Sequence, residues 1–111
     1  MTRIKEVKFI VMLTLEDRYR HYHVRFKGDV LNFIVQYETR FKGQWLPVVR
    51  YDTEHGFAHR DLLNKKGNKH KTPIFTRDYN EALTFAEYDI KTNWKSYKRT
   101  FLGDTENGEK F

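Results

Sequence analysis

The chain has 111 residues and a mass of 13.5 kDa, the size of one domain. It carries 21 Lys and Arg against 15 Asp and Glu, a net charge of +6, and 16% of its residues are aromatic. It has no cysteine, which excludes a disulfide framework, thiolate metal sites, iron–sulfur clusters and cysteine nucleophiles.

The first half of the chain alternates with period two, the mark of half-buried strands. Phe9, Val11, Leu13 and Leu15 share one face of a first strand, and Lys8, Ile10, Met12 and Thr14 share the other. Glu16-Asp17-Arg18 reads as a turn. In a second strand, Tyr19 to Lys27, the apolar Tyr22, Val24 and Phe26 are expected to face the core. Its opposite side carries Tyr19, His21, His23 and Arg25. Lys27-Gly28-Asp29 signals a hairpin. A third strand, Val30 to Phe41, alternates Leu31, Phe33, Val35 and Tyr37 against Asn32, Ile34, Gln36 and Glu38. Turns at Asp17-Arg18 and Gly28-Asp29 would pair apolar residues with apolar residues throughout. In the fourth strand, Gln44 to Asp52, Pro47 indicates an edge or a bulge.

From Thr53 to Asn64 a loop leading into a short strand or turn is expected, then a basic loop at Asn64 to Thr72, with Pro73 to Phe75 as a last short strand. Asp78 and Glu81 have the spacing of a capping box. Leu83, Ala86, Ile90, Trp94, Tyr97 and Phe101 recur every three or four residues, one stripe of a long helix that Gly103 stops. The fold class is therefore α+β: an antiparallel meander of about four to five strands with a C-terminal helix on one face. Residues 1–103 form the domain, and residues 104–111 are expected to be a flexible tail.

A three-residue connection at Lys42 to Gln44 sets Arg50 opposite Gln36 and Asp52 opposite Ile34. With Tyr22 toward the helix, His21 and His23 would share a free face with Gln36, Arg50 and Asp52. His55, His59 and Asp61 follow directly in the chain. Paired histidines can act as general base and general acid, and arginine can hold a phosphate bidentately. The expected catalytic set is His21, His23, His55, His59, Asp52 and Asp61. Arg25, Arg50 and Arg60, with Lys65, Lys66, Lys69 and Lys71, are expected to contact phosphate. Most aromatics fall to the core, leaving Tyr19, Tyr51 and Phe57 as candidates for base stacking.

The segment Arg50-Tyr51-Asp52-Thr53, followed by His55-Gly56 and by His59-Arg60-Asp61-Leu62, resembles a small prokaryotic family of unknown function. More distantly it resembles the TumE-type toxins of type II toxin–antitoxin pairs. It has single histidines at 55 and 59 where those toxins have double-His steps. The resemblance implies a small cytoplasmic RNA-targeting protein held by a cognate antitoxin. It nominates Arg50, Asp52, His55, His59, Arg60 and Asp61.

The leading expectation is an RNA-binding protein acting as a metal-independent ribonuclease, with no cofactor and with RNA or another polyanion as its partner. The first alternative is a non-catalytic nucleic-acid-binding or protein-interaction module. The second is a metal-dependent enzyme, since His21-x-His23 and His59-x-Asp61 have ligand spacing. Ile10, Met12 and Ile34 form an apolar strip suited to a homodimer or an antitoxin. No apolar stretch is long enough for a membrane span, so no membrane partner is expected. No phosphate-cradling glycine loop or nucleophile elbow is present.

Overall fold

Lys27-Gly28 and Lys42-Gly43 take positive φ at both residues, 50° and 85°, then 51° and 79°. That is the backbone of a two-residue hairpin turn whose twist matches its strands. In a computed structural model, which describes residues 3–103, these turns organise an antiparallel sheet. Its strands are β1 (Ile4–Met12), β2 (Asp17–Phe26), β3 (Asp29–Phe41), β4 (Gln44–Asp52), β5 (His59–Leu63) and β6 (Lys69–Pro73). The six lie side by side in chain order. One helix, α1 (Tyr79–Phe101), packs across β3 and β4. The α+β class and the long helix match the sequence expectation. The strand count exceeds it, because the basic segment after Asn64 forms a β-hairpin. Its turn is closed by Asn64 Oδ1, which accepts from the N–H groups of Lys66 and Asn68. The expected tail at 104–111 lies outside the described residues.

The register of β2 departs from the apolar pattern. A two-residue turn sets Phe26 opposite Asp29 and Arg25 opposite Val30, but Val24 lies opposite Asn32. Leu31 is thus an extra residue on β3, a bulge. One extra residue reverses which side of β2 faces with Phe33 and Val35. His21 now lies opposite Val35, and His23 opposite Phe33. Tyr19, His21 and His23 are therefore buried under α1, and Tyr22, Val24 and Phe26 take the other face. The β1–β2 connection agrees: it spans Leu13 to Glu16, so Val11 pairs with Tyr19 and Phe9 with His21.

A second bulge lies beside Pro47, which has no N–H to give the ladder. Glu38 pairs with Pro47 and Tyr37 with Val49, leaving Val48 over. The turn is one residue shorter than expected and the bulge restores that residue. Arg50 accordingly lies opposite Gln36, and Asp52 opposite Ile34, as the sequence suggested.

The helix is built as its sequence predicts. Asp78 caps it by accepting from Glu81 N–H at 2.9 Å, and Glu81 accepts from Arg77 N–H at 2.7 Å. Leu83, Ala86, Ile90 and Phe101 are buried against Phe33, Val35, Tyr37, Val49 and Tyr51, with Trp94 and Tyr97 at the margin. Tyr19 and Tyr51 are also core residues, 2% and 1% exposed. They cannot stack on bases, which corrects that expectation; Phe57 alone of the three is exposed. Phe9 is more than 40% exposed, so it is not the packed core residue its alternation suggested.

Asp17 ties the start of β2 to the helix. Its carboxylate accepts from Thr14 at 2.6 Å, Tyr37 at 2.7 Å, Thr39 at 2.9 Å and Lys98 at 3.1 Å. Burial alone would raise its pKa, but these four donors outweigh it and hold the carboxyl below 3.8. Its stabilising contribution is therefore full above that pH and is lost as pH falls through the folded value. Asp17→Asn should cost roughly 3 kcal/mol in urea denaturation at pH 7. The difference from wild type should shrink as pH falls below 3.8.

Candidate functional site

Placing a polar strand face under a helix requires partners for it. Glu87 of α1 supplies the first. Its carboxylate meets His21 Nδ1 in a short contact. His21 Nε2 lies 2.7 Å from His23 Nδ1, and His23 Nε2 faces an Arg25 guanidinium nitrogen at 3.4 Å. The row Glu87–His21–His23–Arg25 is continuous. Arginine only donates, so His23 Nε2 is the acceptor. His23 Nδ1–H then donates to His21 Nε2, and His21 Nδ1–H donates to Glu87. Phe9 stacks on His21 with ring centroids 4.3 Å apart, and Lys91 holds the outer oxygen of Glu87 at 3.3 Å.

The row ends at a cationic groove. Arg3, Lys5, Arg25, Lys27 and Gly28 line a space of about 340 Å³, with no carboxylate among them. Lys5 is the cross-strand partner of Arg25. The turn beneath is fixed to the helix start by Asn80, which donates to Gly28 O and accepts from Val30 N–H.

The opposite sheet face carries a second cluster. Arg50 pairs with Asp61 across β4 and β5, and Asp52 with His59. Arg50 Nε donates to Asp52 Oδ2 at 2.5 Å, and Arg50 also reaches Gln36 at 3.2 Å. Lys71 donates to Asp61 Oδ1 at 3.0 Å. Asp52, His59 and Asp61 are all at least 98% buried. A larger groove of about 880 Å³ runs from Arg50 and Gln36 to Ile10 and Glu6. Its lining mixes charges with apolar side chains.

The expected convergence of His21 and His23 with Arg50, Asp52 and His59 is thus replaced by two clusters on opposite faces. The cause is the Leu31 bulge. His55 stands apart, exposed on a short 3-10 turn at Glu54–Gly56 with φ 73°. Arg60 points to the helix side and donates to Tyr97, whose hydroxyl donates to Asp89, as does that of Tyr51. Lys69 and Lys71 flank Asp61, while Lys65 and Lys66 lie on the exposed hairpin turn. Sequence reasoning missed Glu87, Arg3, Lys5 and Lys27. Glu87 precedes Lys91 by one helical turn and reads as half of a surface pair. Only the packing of α1 on β2 reveals its second role.

Glu87 would be raised by burial, but His21 and Lys91 together hold its pKa below the ordinary value. His23 is pushed below 6.5 by burial, then by His21 and Arg25, against a smaller opposing effect of Glu87. A histidine with a depressed folded pKa binds its proton more readily in the unfolded chain. Stability should therefore be full above pH 6.5 and decline as pH falls from there toward the folded value. In urea titrations across pH 5–7.5, His23→Gln should flatten that decline, while His55→Gln should leave it unchanged.

No curated protein and no solved structure matches the chain. A family model does, over residues 3–107, and it spans every element described above. The chain belongs to the family described as Domain of unknown function (DUF7718).

Proposed function

We propose that this chain binds RNA in the Arg3/Lys5/Arg25/Lys27 groove and cleaves it without a metal, with His23 as the general base. The observation that carries this reading is the junction of the histidine row with that groove at Arg25. Arg25 holds the phosphate next to the ring that takes the proton. His23 Nε2 accepts the ribose 2′-OH proton. The 2′-oxygen attacks the adjacent phosphorus, and the 5′-oxygen leaves, protonated from solvent. Glu87, through His21, supports the positive charge that develops on the rings. The depressed pKa of His23 keeps it unprotonated, and so able to act as a base, at neutral pH. The resemblance of the Arg50–Leu62 segment to TumE-type toxins supports the same substrate class. A cognate antitoxin would silence such an enzyme, and the exposed Ile4, Ile10 and Met12 of edge strand β1 suit its docking.

Four groove cations contacting four phosphates of a single strand give a slope of log affinity against log salt of roughly −3. Lys5→Glu should make this slope shallower. In EDTA, the chain should convert a single-stranded RNA to 2′,3′-cyclic phosphate ends. His23→Ala should reduce this by about 10²- to 10⁴-fold, and His55→Ala should not. Salt-dependent binding with no cleavage would identify a non-catalytic RNA-binding module. Cleavage indifferent to His23 would refute the assignment of the base.

A further inference from the structure

We propose that Asp52, His59 and Asp61 form a binding site for one divalent transition-metal ion, separate from the histidine row. His59 sits on β5 with its side chain fully buried. Its Nδ1 lies 3.2 Å from Phe57 O. A carbonyl only accepts, so Nδ1 carries a hydrogen, and the nitrogen left to ligate an ion is Nε2. That Nε2 is buried and has no hydrogen-bond partner. Two carboxylate oxygens lie close to it, Asp52 Oδ1 at 2.7 Å and Asp61 Oδ2 at 3.9 Å. The Asp52 oxygen is close but off the line of a hydrogen bond, so a proton between the two would be poorly held. A ring nitrogen set against two carboxylate oxygens suits an electrophile that accepts all three at once.

The geometry fits a metal. One ligand atom from each residue lies within 4.8 Å of the other two. Ligands about 2.1 Å from a common ion stand roughly 3.0–3.4 Å apart, so small side-chain shifts close the set. One imidazole and two carboxylates suit Zn²⁺, Mn²⁺ or Fe²⁺. The outer oxygens are already oriented: Arg50 holds Asp52 Oδ2 and Lys71 holds Asp61 Oδ1. Such second contacts are how proteins aim ligand carboxylates. These two cations, with Lys69 at 3.9 Å from Asp61 Oδ2, also offset the acidic charge, so the site should favour ions that bind imidazole over Mg²⁺ or Ca²⁺. The site joins β4 to β5, two neighbours in the sheet.

The test uses the full chain, freed of metal with EDTA and dialysed, then titrated calorimetrically with Zn²⁺ and separately with Mn²⁺. One equivalent should bind and raise the midpoint of thermal unfolding by at least about 4 °C at saturation. Asp61→Asn should weaken binding at least about tenfold, and His70→Ala, on exposed β6, should not. Because the buried variant can lose its fold, wild-type NMR supplies a second reading. Substoichiometric Mn²⁺ should broaden the His59 ring signals before those of His55 or His70. No binding to the folded chain would overturn the proposal, as would broadening that begins at His55 or His70.

Discussion

The contact between Glu87 and His21 is the constraint on which the arrangement of the sheet rests. β2 offers the helix its polar side, and a buried polar side is stable only when its groups are paired. Glu87 satisfies one ring nitrogen, the second ring satisfies the next, and Arg25 meets the last at the solvent boundary. The same logic holds at the other end of β2, where Asp17 gathers Thr14, Tyr37, Thr39 and Lys98. Between them these contacts join β2 to α1 at two levels, through Glu87 near the middle of the helix and Lys98 in its last turn. Two helix lysines, Lys91 and Lys98, are thereby engaged with carboxylates. They contribute to the net charge without being free to bind a polyanion.

Much of the architecture was legible in the chain. The helix could be read from its stripe, its cap and Gly103, because those signals are local. The pairing of Arg50 with Gln36 was also legible. Pro47 marked the bulge, and the bulge compensated for a turn one residue shorter than assumed. The face of β2 was not legible. Tyr22, Val24 and Phe26 make the better apolar set, and nothing local to Leu31 announces that it is left over. A single unpaired residue in β3 therefore moved two histidines from one side of the sheet to the other. The strand at Lys69–Pro73 was hidden for a different reason. Its exposed side chains are mostly basic, and edge strands are commonly protected in that way.

That inversion separates two kinds of chemistry. On the helix side, a carboxylate, two imidazoles and a guanidinium form a row leading to a groove lined only by cations and a glycine. On the far side, the Arg50–Asp61 region is internally neutralised, each carboxylate meeting a cation at its outer oxygen and His59 at its inner one. The first arrangement suits an anionic ligand and a proton acceptor. The second suits a cation. The family model spans both, since it covers the sheet and the helix together.

Glu87 fixes the two rings so that His23 presents an unprotonated Nε2 toward Arg25. Long-range ¹H–¹⁵N spectra of the histidine side chains at pH 7.5 read this directly. Both His21 and His23 should carry their hydrogen on Nδ1, and Glu87→Gln should alter the signals of both rings. A His23 ring protonated on Nε2, or rings indifferent to Glu87→Gln, would contradict that arrangement.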